Sequence, residues 1–170
     1  MKTATLKYPS ADGKTAIRAL LWEPDAAEQP EGSETSEGLR YSDVRGIVQV
    51  VHGMSEHVVR YAHFAKFLVE SGFVVCANDH VGHGESVSDA QDLGHMPARD
   101  GAEVLVRDVH ALRGIMQAHF GSEVPYVMFG HSMGSFITRK YISEHGEGLA
   151  AAVPCGTGQQ AAALSMAGNA

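Results

Sequence analysis

The run Val127-Met128-Phe129-Gly130-His131-Ser132-Met133-Gly134-Ser135 constrains this chain more than any other stretch. A short apolar segment enters a G-x-S-x-G turn, and Phe136, Ile137, Lys140 and Tyr141 continue from it at helical spacing. A serine hydroxyl set on a sharp strand-to-helix turn stands clear of the backbone, where it can reach an ester or amide carbonyl. The turn strains the serine backbone, and Gly130 and Gly134 keep the space in which strand and helix pass closely. The N–H of Met133 falls at the start of the helix, where unpaired donors and the helix dipole favour an oxyanion. Glycine and serine also meet in ordinary turns, so the flanking strand and helix patterns carry the functional weight.

Upstream, residues Thr3 to Tyr8 and Thr15 to Trp22 alternate apolar and polar around Ser10-Ala11-Asp12-Gly13, which predicts a hairpin over 1–23. Residues 24–45 then carry Asp25, Glu28, Glu31, Glu34, Glu37 and Asp43 with almost no apolar side chain, which predicts a solvated, flexible acidic loop. Over 46–155 the pattern alternates between buried strands and helices. Gly46 to Val51 reads as a β-branched parallel strand, Tyr61, Phe64, Ala65 and Leu68 mark a helix stopped by Gly72, and Phe73 to Ala77 is the next strand. A polar loop runs to Gly101. Leu105, Val109, Leu112 and Met116 mark a second helix ending near Gly121, and Gly146 stops the helix that Ser132 begins. Leu149 to Pro154 reads as a last buried strand, and 156–170 is Ala-, Gly- and Gln-rich. Strands alternating with helices predict a single α/β domain with a mainly parallel sheet covered on both faces.

In such sheets ligands bind beyond the carboxyl ends of the strands. His52-Gly53-Met54-Ser55-Glu56-His57, Asp79-His80-Val81-Gly82-His83-Gly84-Glu85-Ser86 and Ser132 all fall there. The formal net charge of -7 argues against non-specific nucleic-acid binding. No basic-plus-apolar leader and no apolar run of about 20 residues is present, so a cytoplasmic protein without stable membrane insertion is expected. Cys76 and Cys155 both lie in expected buried strands, which favours two buried thiols over a disulfide. His80 and His83 with Asp79 invite a metal, but H-E-x-x-H is absent and no metal site is expected. These three residues are expected instead to hydrogen-bond their own loop.

Taken together, the His52–His57, Asp79–Ser86 and Gly130–Gly134 motifs resemble the monoacylglycerol lipase and lysophospholipase branch of the α/β-hydrolases, the serine-aminopeptidase-like group. The resemblance spans roughly Thr3 to Gly158 and implies hydrolysis of acyl-lipid esters without a cofactor. It implies Ser132 as nucleophile and the backbone N–H groups of Met54 and Met133 as the oxyanion hole, with Gly53 and His131 beside the bound substrate. A peptidase or thioesterase on the same scaffold is the related alternative.

One departure stands out. In this fold the triad acid and base follow the serine. No aspartate follows Ser132, and the one later histidine, His145, lies between Glu144 and Glu147 at the far end of the helix. At about 1.5 Å rise per residue it is roughly 20 Å from Ser132, whereas a base must stand within about 3 Å or one water. The triad acid and base are therefore expected to be missing. The chain is expected to be an N-terminal portion of the fold, lacking cap and C-terminal strands, with 156–170 as the start of the cap and no activity alone. A catalytically dead lipid-binding or interaction module is the alternative. Self-association through an exposed edge strand is also expected, because a last strand without its neighbour leaves backbone groups unpaired.

Overall fold

The computed structural model describes residues 1–25 and 44–159. Most of the acidic loop expected over 24–45, and most of the tail expected over 156–170, lie outside the described residues.

The elements run β1 (Lys2–Pro9), β2 (Ala16–Glu23), β3 (Gly46–Val51), α1 (Ala62–Glu70), β4 (Phe73–Asn78), α2 (Gly101–Phe120), β5 (Tyr126–His131), α3 (Met133–His145) and β6 (Ala151–Cys155). One six-stranded sheet has the order β1-β2-β4-β3-β5-β6. The hairpin strands β1 and β2 pair antiparallel, β2 pairs antiparallel with β4, and β4, β3, β5 and β6 run parallel.

Side chains alternate across each strand, so the sheet sorts them onto two faces. On one face Val48, Val50, Val75, Ala77, Leu20 and Trp22 pack against Val58, Ala65 and Val69 of α1 and the turn before it. On the other, Ile47, Val74, Cys76 and Tyr126 meet Leu112, Met116 and Phe120 of α2, and Val51 and Met128 meet Val109 of α2 with Ile137 and Tyr141 of α3. Helices cover both faces, as the alternating pattern predicts. Burying each Val, Leu, Ile, Met or Phe among them contributes about 1.5–3 kcal/mol. The one polar side chain in the middle of β3, Gln49, is satisfied: its Nε2 donates to the Val109 carbonyl at 3.0 Å and its Oε1 accepts from the Tyr126 hydroxyl at 2.6 Å.

Two features differ from the expectation. The loop before Gly101 contains a short 3-10 turn, Ala90–Asp92, capped reciprocally by Asp89 and Asp92. And Cys155 is exposed, not buried; both cysteines are free thiols. The cause is position. Among the described residues β6 is the last strand of the sheet, α3 lies over one face only, and no element packs on the face that β6 shares with α1. Val153 on that face is 46% exposed beside the half-buried Phe129, its register partner in β5.

Candidate functional site

β3 lies between β4 and β5, so the chain leaves β3 toward one side of the sheet and later returns on the other. The crevice at this reversal is where loops diverge and a ligand can enter. The segments after β3, β4 and β5 all open there.

Ser132 sits at the tip of the strand-to-helix turn with φ 52° and ψ −118°, a left-handed backbone that a non-glycine residue rarely adopts. The surrounding structure holds it in place. Its N–H donates to the Cys155 carbonyl at 2.9 Å, and its carbonyl accepts from the Ser135 N–H at 2.9 Å and the Ser135 hydroxyl at 2.6 Å. The glycines on either side are fixed by space. A Cβ on Gly130 would strike the Thr138 hydroxyl and the Gly134 carbonyl, and one on Gly134 would strike the Val51 carbonyl. Ser132 itself is exposed, and its hydroxyl has no partner among the described residues.

The loop after β3 comes up against it. A Cβ on Gly53 would stand 3.1 Å from Ser132 Cβ and 3.3 Å from Glu56 Cδ, so glycine is what lets this backbone approach the hydroxyl. Ser55 is left-handed (φ 56°) and turns the loop over, leaving the Met54 side chain 65% exposed. Neither the Met54 N–H nor the Met133 N–H donates to any described residue. Ser132 thus lies between two backbone segments that each offer a free N–H, a chemistry suited to an oxyanion.

Glu56 ties this loop to its surroundings. Its carboxylate accepts from the Gly53 N–H at 3.1 Å and the Tyr61 hydroxyl at 2.6 Å, and stands 3.2 Å from His131 Nδ1. Burial works to raise its carboxyl, but these partners outweigh burial and hold it below the usual value. Burial and the same carboxylate push the Tyr61 phenol up. Glu56, Arg60, Tyr61, Phe64, Phe129 and His131 line an open recess of 280 Å³ beside the elbow.

The β4 loop supplies the support beneath. Asp79 is fully buried and accepts from the Val58 N–H at 2.8 Å and the Glu85 N–H at 3.0 Å, with Arg18 Nη1 of β2 at 3.3 Å. His80 and His83 turn inward. The His80 N–H donates to His52 Nε2 at 3.0 Å, His80 Nε2 stands 3.1 Å from the His52 carbonyl, and His83 Nδ1 is 3.1 Å from the Val81 carbonyl. Burial drives His52 down to about 4 and His80 well below its ordinary value. Among the described residues no three His, Cys, Asp or Glu side chains stand together as metal ligands.

The structure therefore brings together Ser132, Met54, Met133, Gly53 and His131. It does not bring His145 to them: α3 is unbroken from Met133 to His145, and the His145 ring stacks on His110 at 4.2 Å, at the far end of the helix. The sequence did not single out the grip of Glu56 on Gly53, although a carboxylate three residues beyond the loop glycine is a visible cue. It gave no cue for Arg18, because the antiparallel β2–β4 pairing that delivers it is a long-range contact.

Comparison with known proteins places this geometry. The model of the serine aminopeptidase (S33) family matches residues 42–167. The monoacylglycerol lipase of Mycolicibacterium smegmatis is 36% identical over 143 residues, which are 83% of this chain and 43% of that protein. The monoglyceride lipase of Rattus norvegicus is 34% identical over 94 residues, 55% of this chain and 29% of that protein. Among solved structures, a thermostable carboxyl esterase from Bacillus coagulans in complex with glycerol superimposes with a TM-score of 0.80 at 38% identity, over 98% of this chain and 48% of that one. A monoglyceride lipase from Saccharomyces cerevisiae shares the fold, with a TM-score of 0.67 at 18% identity, over 89% of this chain and 43% of that one. The chain spans less than half the length of each of these proteins. With its loops after β3 and β4 and its strained serine elbow after β5, it belongs to the serine aminopeptidase (S33) family and has the α/β-hydrolase fold.

Proposed function

We propose that this chain carries the nucleophile and oxyanion hole of a serine hydrolase of carboxylic esters, with acyl-lipid esters of the monoacylglycerol or lysophospholipid type as substrates. Ser132 attacks the ester carbonyl, and the N–H groups of Met54 and Met133 hold the oxygen as charge develops on it. Gly53 gives the substrate room, and His131 borders the recess in which the alcohol portion would sit. One observation carries this reading: an exposed, left-handed Ser132 with two unclaimed backbone N–H groups on the segments beside it. The kinship with lipases and a carboxyl esterase supports the ester class.

In this proposal the base and its acidic partner do not come from this chain. His52 and His80 are buried and turned to backbone groups, and His145 is at the wrong end of α3. We expect the 170-residue chain to be inactive alone and the nucleophile to respond when a base is supplied. The experiment is acylation by a short-chain p-nitrophenyl ester with and without added imidazole, read as an acyl adduct on the protein by mass spectrometry, beside Ser132→Ala. An adduct that needs imidazole and vanishes in Ser132→Ala is expected. No Ser132 adduct under any condition, with the fold intact, would overturn the nucleophile assignment. Turnover without imidazole that is lost in Ser132→Ala would show that the chain holds its own base.

The uncovered face favours a second role, as a non-catalytic binding or interaction module. Phe129, half-buried, and Val153 form an apolar strip next to the outer edge of β6, which pairs with no further strand among the described residues, and such an edge pairs readily with another strand. We expect the chain to self-associate there. A monodisperse monomer in sizing, with a single cooperative melt, would refute this.

A further inference from the structure

The two oxyanion donors differ in how they are aimed. Met133 N–H is set by the helix it begins, as one of the first four N–H groups that no helical carbonyl accepts. Met54 lies at a two-residue turn with Ser55, outside any helix or strand. Something else must fix the direction of its N–H.

That N–H belongs to the same planar peptide unit as the Gly53 carbonyl, and in a trans peptide the two point in opposite directions. Whatever holds the Gly53 carbonyl therefore aims the Met54 N–H. The side chain against that carbonyl is His52, whose Nδ1 is 2.7 Å from the Gly53 oxygen. The partners of the ring assign its tautomer. Nε2 faces the His80 backbone N–H, which can only donate, so Nε2 must be the bare nitrogen. In a neutral ring the proton is then on Nδ1, where it donates to the Gly53 carbonyl. The ring cannot turn away, since it is fully buried and lies against His80 with 4.0 Å between centroids. Glu56 grips the other side of Gly53 through its N–H at 3.1 Å, so both peptide units of this residue are pinned.

We infer that His52 is a positioning residue for the oxyanion hole: its Nδ1–H holds the Gly53 carbonyl and thereby directs the Met54 N–H at the carbonyl oxygen on Ser132. This rests on the reading of Met54 as an oxyanion donor.

The test separates the two ends of the ring. The side-chain amide of asparagine can place its N–H near the position of Nδ1, and the oxygen of glutamine falls near the position of Nε2. His52→Asn keeps the donor to Gly53 and gives up the acceptor for His80, whereas His52→Gln does the reverse. In the 15N-labelled 170-residue chain, nitrogen shifts of the His52 ring report its tautomer, and residual dipolar couplings report the orientation of the Met54 N–H. The expected result is the Nδ1–H tautomer in the wild type, a Met54 coupling preserved in His52→Asn, and loss of that coupling in His52→Gln, with Val51 and Ser132 unchanged in both. A residue that merely fills space would treat the two variants alike, so equal couplings overturn the inference. An Nε2–H tautomer in the wild type overturns it without any variant, should either fail to fold. The couplings read geometry whether or not an ester is cleaved, so failure of this inference and failure of the hydrolase assignment are separate outcomes.

Discussion

Lowering the pH should destabilise this protein through His52. In the fold the imidazole titrates at about 4, against an ordinary value of 6.5, because burial disfavours its charged form. The groups that face it are His83, which opposes its charge, and Asp79 and Glu56, which favour it, with the His80 ring tilted against its own. The unfolded chain takes up this proton from about pH 6.5 downward, while the folded chain does so only near pH 4. Between those values the unfolded state binds more protons, so stability falls as pH falls, and the loss from this group is complete once pH drops below the folded value. The gap is worth about 3 kcal/mol, a large part of the roughly 5–15 kcal/mol that keeps a domain folded. Urea unfolding at a series of pH values from 7 to 4 measures it. His80, also held neutral by burial, adds a loss of the same sign to every protein compared. His52→Gln, which cannot titrate, should therefore lose about 3 kcal/mol less than the wild type over that range. Parallel curves for the two proteins would refute the reasoning, since they would mean that the His52 ring is not held neutral by the fold.

Two further substitutions probe the frame of the site. Asp79→Ala leaves the Val58 and Glu85 N–H groups and the Arg18 guanidinium without their shared acceptor in a buried place, so it should cost about 3–5 kcal/mol. Thermal melting would show it, and a loss below about 1 kcal/mol would place the pair with weak surface bridges. Gly134→Ala pushes a methyl against the Val51 carbonyl, so it should cost about 1–3 kcal/mol and shift the amide resonances of Gly53 and Met133. Unmoved resonances would mean that α3 can retreat from β3 without disturbing the elbow.

The elbow and the other two strand-end loops were legible because their signals are local. A β-branched run, a loop glycine and a helical spacing each declare themselves within a few residues, as Gly46–Val51, Gly53 and Ile137–Tyr141 do. Burial is a different kind of property. Ala151–Cys155 has the composition of a buried strand, but whether Cys155 and Val153 are covered depends on a neighbour that composition cannot report. The same holds for polar contacts. His52 followed by Gly53 reads as a turn after a strand, and only the approach of His80, 28 positions along the chain, fixes which ring nitrogen is bare. Arg18 reaches Asp79 through antiparallel pairing of β2 with β4, and no periodicity in either strand announces that partner.

The distribution of glycine at the elbow argues for what the turn is for. A chain that needed only to reverse from β5 into α3 would place glycine at the left-handed position, where it relieves strain of order 1–3 kcal/mol. Here glycine stands at 130 and 134, where a side chain would collide, and serine stands at the strained position between them. The strain is tolerated because the Cys155 carbonyl and Ser135 hold the backbone of Ser132 from both sides. Ser55 repeats the pattern on the facing loop, left-handed and non-glycine, with Gly53 placed two residues earlier where the backbone must come close to Ser132. In both loops glycine follows the demand for space and strain falls on another residue. That is the arrangement expected when a hydroxyl and a backbone N–H must be brought within reach of one reacting carbonyl.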